Sequence, residues 1–348
     1  MADFEVIFVD ISEGDSTLVR LPGDSWVLID VFRCEDHGID LFKLMDDRLP
    51  TGEDGKPRLD LLIITHAHDD HIRGLQDLVE RFDVQEIWAP RYETDKSLGD
   101  KFEEFKKVMQ DHDNVVVQKG CRTPIAQLGE NDEVTVRCFS PPGYIDIGED
   151  LTDEQQRAEV HKFCGVYKFS YAGVSVMFAG DSDLSCWDRI IGYYEDVPDE
   201  NDIGVIDSTV LHASHHGSRT FIKDHKDDEP WLRGLEVIDP EVVIVSVGAN
   251  NKHKQPHDDV MKAYRDHVGD DDDVRETQHQ GTITLEVEED GAYDLRPDND
   301  EYEDNYGWDD DDGGDDGSGG RSSGGGGTSA YKRSKNKTRT RLDNSSAA

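Results

Sequence analysis

The chain has few features that would suit it to an oxidising or membrane setting. Five cysteines (Cys34, Cys121, Cys138, Cys164, Cys186) are scattered among 348 residues with no C-x-x-C spacing. An odd number of scattered thiols argues against a disulfide framework, so they read as small, reduced, buried residues. No apolar stretch approaches the roughly 18 residues that cross a bilayer, which excludes a membrane channel. The strand-like alternation "FEVIFVDI" begins at Phe4 and leaves no room for a signal peptide. The expectation is a soluble, cytoplasmic protein without membrane insertion. Positive charge is also scarce, with 37 Lys and Arg facing 78 Asp and Glu for a net charge of −41. A nucleic-acid binder usually leaves a basic footprint, and the body of this chain shows none.

The acidity is not the property of one tail. Residues 298–317 hold 11 acids, but the last 51 residues together carry seven Lys and Arg, leaving −36 of the −41 on the first 297. Such a surface repels itself at ordinary ionic strength, whereas in molar salt the screening length falls to roughly 3 Å. We therefore expect a halophilic, haloarchaeal source with a salty cytoplasm.

No internal repeat is visible. Strand-like segments come early ("FEVIFVDI", "STLVRL", "SWVLID", "LDLLIIT", "EIWAP") and again later ("VTVRCFS", "GVYKFSYAG", "VSVMFAG", "STVLHAS", "EVVIVSVG", "TITLEV"). Helical periodicity marks "GIDLFKLMDDRL", "IRGLQDLVERF", "DKFEEFKKVMQDH", "DLSCWDRIIGYY" and "DDVMKAYRDHV". Strands in both halves with helices to cover them predict an α/β fold of two facing sheets under outer helical layers. Residues 141–160 read as a polar loop or insertion. The expected organisation is one domain over residues 1–297, then a disordered tail over 298–348. That tail is first acidic and Gly-rich, then basic, and it has too little apolar surface to fold.

Directly behind the apolar run "LDLLII" stands "THAHDDH", residues 65–71. Zinc takes imidazole and carboxylate ligands at about 2 Å, and a hydrolytic site keeps one position open for water. His66 and His68 can serve one ion, and Asp70 and His71 a neighbouring one. The strand fixes the base of the loop, so the ligands arrive preorganised.

H-x-H-x-D-H after an apolar strand resembles the signature of the metallo-β-lactamase superfamily, whose fold is an αββα sandwich with a two-metal site at the edge between the sheets. The resemblance implies a role for Asp30, closing "VLID", in orienting the ligand loop. It implies that Asp181, in "MFAGDSD", bridges two ions and that "LHASHHGS" supplies the late histidine ligand as His215 or His216. One of that pair would bind metal and the other would lie near the substrate as a proton donor; sequence does not choose between them. More narrowly, "FVDISEGDSTLV" (with Gly14, Asp15 and Ser16), "HHGSRT" and "SVGANNKHKQPHDDV" resemble motifs of the ComEC-like group, the hydrolase domain of a DNA-uptake protein and its free-standing relatives. The likeness runs from about residue 4 to 288. Two departures stand out. His161 is placed for a further ligand where that group tends to carry asparagine. Lys254, Gln255 and Pro256 replace G-H-P, flanked by His253 and His257.

Other residues have plainer readings beside functional ones. His212 fits a packed core histidine, and His279 a surface or turn residue. Ser218, Arg219 and Thr220 fit either a substrate-phosphate contact or a helix cap. The expected site thus comprises His66, His68, Asp70, His71, His161, Asp181, His215 and His216 around two divalent ions. Zinc is the default and manganese the alternative, and Asp70, His215 and His216 are the catalytic candidates. The leading function is metal-assisted hydrolysis by a phosphodiesterase or nuclease on DNA or a smaller phosphodiester. The basic stretch from Lys332 to Arg341 would capture nucleic acid. An acyl hydrolase of lactonase or thioesterase type, or a non-catalytic partner that keeps the fold, remain the alternatives.

Overall fold

The alternating segments do form strands, and they assemble into two sheets. The computed structural model describes residues 3–298 apart from 35–38, 95–96, 142, 149, 197–202 and 250. In the first sheet the order is Tyr293–Pro297, Ile283–Val287, Phe4–Phe8, Thr17–Leu21, Ser25–Ile29, Leu61–Ile63, Ile87–Ala89 and Val115–Val117. The second runs Ala126–Leu128, Val134–Ser140, Val166–Tyr171, Val174–Phe178, Val210–His212, Val242–Val245 and Val274–Glu276. Each sheet begins antiparallel and turns parallel, the first from Ser25–Ile29 onward and the second from Val174–Phe178 onward.

Period-two alternation decides which side chains fill which layer. Phe4, Val6 and Phe8 point into the layer between the sheets, against residues such as Phe169, Phe178 and Ile244, while Ile7 points to the opposite face. The rings of Phe8 and Phe178 lie 6.5 Å apart across that layer.

Eight helices matter below: α1 (Leu41–Arg48), α2 (Asp69–Ile72), α3 (Leu75–Arg81), α4 (Phe102–Asp111), α5 (Asp153–Lys162), α6 (Leu184–Glu195), α7 (Arg233–Ile238) and α8 (Asp258–Val268). Helices α1, α3 and α4 bury Phe42, Met45, Leu78, Phe102 and Phe105 against the outer face of the first sheet. On the second sheet, α6, α7 and α8 do the same with Trp187, Ile190, Leu235, Val260 and Tyr264. The layers are helix, sheet, sheet, helix, the αββα sandwich that the motif implied. None of the helices among the described residues is long and apolar enough to cross a membrane.

Two segments differ from the sequence reading. "IRGLQDLVERF" is not one helix, because Gly74 adopts φ 114° and divides α2 from α3. Residues 141–160 are not simply a loop, because they contain most of α5. The signal overlooked there is a capping box, in which Thr152 accepts from the Gln155 amide while the Gln155 side chain accepts from the Thr152 amide. Polar composition hid this helix, since it buries little beyond Gln156 and Val160. The expected tail lies outside the described residues except for Asp298.

Candidate metal centre

Several parallel strands end at one edge of the sandwich, and the chain leaves their C-terminal ends in loops that meet there, the usual place for a ligand site in α/β sheets. Ser25–Ile29 delivers Asp30, and Leu61–Ile63 delivers the histidine loop and α2. From the second sheet, Val174–Phe178 delivers Asp181 and Val210–His212 delivers His215 and His216. The turn before Asp181 requires glycine. Gly180 has φ +49°, and a Cβ there would stand 2.7 Å from Cys164 Sγ and 2.9 Å from Thr65 Cβ.

Asp181 is the hub, with only 2% of its surface exposed. Its Oδ2 faces Nε2 of His66 at 3.7 Å, of His161 at 3.6 Å and of His215 at 3.4 Å. Its Oδ1 faces Nε2 of His71 at 3.2 Å and of His216 at 3.7 Å. One carboxylate thus addresses two different sets of imidazoles, as a bridging ligand would. The potential ligand atoms fall into overlapping groups, His66 with His68 and His161, Asp70 with His71, Asp181 and His216, and His161 with Asp181 and His215.

The residues fit a pair of divalent ions on a further count. Nε2 of His66, of His68 and of His216 is buried without a hydrogen-bond partner. Leaving such a group unpaired costs about 1–3 kcal/mol, a penalty that coordination removes. The Nδ1 atoms of His66, His215 and His216 are held from behind. Thr65 Oγ1 lies 3.1 Å from His66 Nδ1, Thr220 Oγ1 lies 3.0 Å from His215 Nδ1, and the Ser246 carbonyl lies 2.8 Å from His216 Nδ1. Asp30 accepts from the Thr65 amide at 2.7 Å and hydroxyl at 2.6 Å, and its Oδ2 lies 2.8 Å from His71 Nδ1. Such outer contacts fix the tautomer and aim of a ligating imidazole.

Protonation follows from burial and charge. Burial lowers His66, His161 and His215 and takes His68 down to about 4, so these rings are neutral and ready to ligate. Burial also pulls on His71, but Asp181 and Asp30 outweigh it and hold the ring well above its ordinary value. For Asp181 burial favours the neutral acid, yet His215, His71 and His216 prevail and keep it ionised. Ion binding must therefore displace a proton from His71 Nε2. Below that raised pKa the proton competes with metal, and above it the competition vanishes. Metal affinity should accordingly climb with pH until His71 is neutral, with proton release measurable by calorimetry in buffers of different ionisation enthalpy. Affinity independent of pH below neutrality would contradict this.

All eight expected site residues converge here, His161 from the last turn of α5 included. His215 and His216 both turn their Nε2 toward Asp181, each with positive φ, and fall in different groups. Other candidates lie elsewhere. His212 is a buried ring packed on Phe8 at 5.0 Å, with Nε2 2.8 Å from Ser246 Oγ and 3.7 Å from Asp15. His257 accepts from the Arg219 amide through Nδ1, whereas His279 sits in a short helix near Glu276. The cap expected as one reading of Ser218–Thr220 is present: Ser218 caps a 3-10 turn, while Arg219 pairs with Asp259 at 3.7 Å and Thr220 backs His215. Thr65, Cys164 and Ser246 also support the centre, Cys164 by accepting from the Asp181 amide at 3.2 Å, and the residue pattern alone does not single them out. For Thr65 a signal existed, its place directly before His66. Cys164 and Ser246 carried none, because they reach the centre only through tertiary packing.

A cavity of about 220 Å³ opens over the centre, lined by His68, Asp70, His161, Asp181, His215 and His216 among others. A more open groove of about 730 Å³ adjoins it, sharing Asn251 and Gln255.

The chain is similar to several known proteins in sequence and fold. ComE operon protein 3 of Bacillus subtilis (strain 168) is 22% identical over 289 residues, covering 80% of this chain. The chain spans 32% of that relative's length. Among solved structures, the metallo-beta-lactamase fold protein YhfI from Bacillus subtilis is 14% identical with a TM-score of 0.45, covering 79% of this chain and 96% of that one. CmlA, a diiron beta-hydroxylase from Streptomyces venezuelae, is 14% identical with a TM-score of 0.48, covering 82% of this chain and 55% of that one. The model of the metallo-beta-lactamase superfamily matches residues 10–186, a span that holds the histidine loop, His161 and Asp181. With more than half of its length and the hub of its imidazole cluster inside that match, the chain belongs to the metallo-beta-lactamase superfamily.

Proposed function

We propose that the protein is a metal-dependent phosphodiesterase, acting on DNA or a smaller phosphodiester at the centre around Asp181. The observation that carries this reading is the single buried carboxylate whose two oxygens face separate sets of imidazoles. Two divalent ions, zinc by default, would be held by these imidazoles and carboxylates and would supply Lewis acidity and a water acidified toward a pKa of roughly 7. The chain's own groups do the rest. Asp70, close to His71, Asp181 and His216 and facing the cavity, receives the proton of the attacking water. His161 and His215 stand on the Oδ2 side of Asp181, where His215 is held by Thr220 and can orient an oxygen of the substrate. The choice of phosphorus over a carbonyl centre rests on the likeness of "HHGSRT" and "SVGANNKHKQPHDDV" to the ComEC-like group.

The test is a panel with the metal-loaded full chain on linear duplex DNA, single-stranded DNA, bis-p-nitrophenyl phosphate and a lactone, with His68→Ala as control. Hydrolysis of the phosphodiesters, lost on chelation and in the control, is the expected result. Faster turnover of the lactone would instead identify an acyl hydrolase. Failure to take up any divalent metal would point to a non-catalytic protein.

A further inference from the structure

Cations are scarce in this chain, 37 Lys and Arg against 78 acids, yet three from separate elements line the one small cavity over the metal centre. Arg73 is the residue after α2, two positions beyond His71. Arg157 lies on α5 one turn before His161, and that i,i+4 spacing puts it on the same helix face as the histidine. Lys252 comes from the loop that follows Val242–Val245, on the second sheet.

Arginine in an acidic protein ordinarily finds a carboxylate. Arg73 and Arg157 are exposed and, among the described residues, paired with none; Arg73 rests its guanidinium over the Phe32 ring, 5.2 Å from the centroid. The acids that share the cavity wall do not neutralise them. Asp69 turns its carboxylate to the amides of Asp100 and Lys101 at 3.3 and 3.0 Å, and Glu13 stands 4.0 Å from Lys252. Asp70 and Asp181 belong to the metal centre. Once divalent ions balance those two carboxylates, the mouth is net positive on a molecule that is strongly negative elsewhere.

We propose that Arg73, Arg157 and Lys252 form an anion-binding rim that selects substrates carrying a further phosphate beside the scissile one, an inference that rests on the phosphodiester reading above. Guanidinium forks bind phosphate through paired, charge-assisted hydrogen bonds. At about 220 Å³ the cavity is smaller than the roughly 300–1,000 Å³ of drug-sized ligand sites. The scissile phosphate would sit in this cavity beside Asp181, and the next phosphate along the substrate would reach the cations that line the same wall. The substrate class is a short oligonucleotide or a strand end, in preference to an isolated, singly charged diester.

The experiment compares two substrates with the same scissile bond, a thymidine dinucleotide phosphorylated at both ends and its unphosphorylated form, on the metal-loaded full chain. Wild type should prefer the phosphorylated form by about tenfold or more in kcat/KM, chiefly through KM. Arg73→Gln with Arg157→Gln should erase that preference. The paired Arg→Lys changes should retain part of it, and Arg233→Gln, at a surface pair with Glu195, should keep all of it. An independent readout is titration with thymidine 3′,5′-bisphosphate, which should bind the Gln double variant about tenfold more weakly. If neither dinucleotide is cut, the phosphodiester reading fails, and the titration alone judges the rim. Equal bisphosphate affinity in wild type and variant, or an unchanged preference between the dinucleotides, overturns the proposal.

Discussion

Replacing Asp181 by Asn should leave a folded protein with almost no turnover. The amide preserves shape in a site with 2% exposure but removes the charge that five imidazoles face. Metal ions would then be held by neutral rings and Asp70, with nothing to bridge the two groups. Losing an outer-shell partner typically costs 10–100-fold; losing the hub should cost more, on the order of 10³ in rate, equivalent to about 4 kcal/mol of barrier. Metal content by elemental analysis, read beside turnover and circular dichroism, tests this. Two equivalents of metal together with an undiminished rate would refute a bridging role.

Asp30→Asn should act on the same centre from behind. Asp30 is almost wholly buried and sits at φ 58°, a conformation that Asn tolerates, so the substitution spares the backbone. As the carboxylate accepts from both the Thr65 amide and hydroxyl while holding His71 Nδ1, an amide in its place meets donors with a donor. Buried groups left unpaired cost about 1–3 kcal/mol each, and a loss of about 3 kcal/mol in denaturant unfolding is expected. Metal affinity should fall about 10–100-fold, because His71 is no longer fixed in one tautomer. Wild-type stability and affinity in this variant would mean that Asp30 does not organise the loop.

Much of the architecture was legible from local pattern. Period-two apolar segments such as "FEVIF" marked strands, and the apolar stripe of α4 marked a helix, because each pattern reports the face that a single element buries. Where local pattern misled, a local cause is visible. Gly74 breaks a helix that periodicity alone joins, and α5 reads as a polar loop or insertion because it buries little. The helix matters because it carries both His161 and Arg157. For Ser218–Thr220 the residue types allow a cap, but only the tertiary structure places Thr220 behind His215.

The sequence by itself determined the ingredients: a strand end loaded with "HAHDDH", aspartates after two further strands, a double histidine, and an acidic surface. These follow from residue type and short spacing, which the linear chain displays directly. Only the tertiary structure decided that Asp181 offers separate oxygens to separate histidine sets, that Thr65, Thr220 and Ser246 steady the rings, and that three cations from separate elements gather at one mouth. Those relations join positions up to about 180 residues apart along the chain. They exist because two sheets pack face to face and bring the ends of their parallel strands to a common edge, a proximity that no spacing in the sequence encodes.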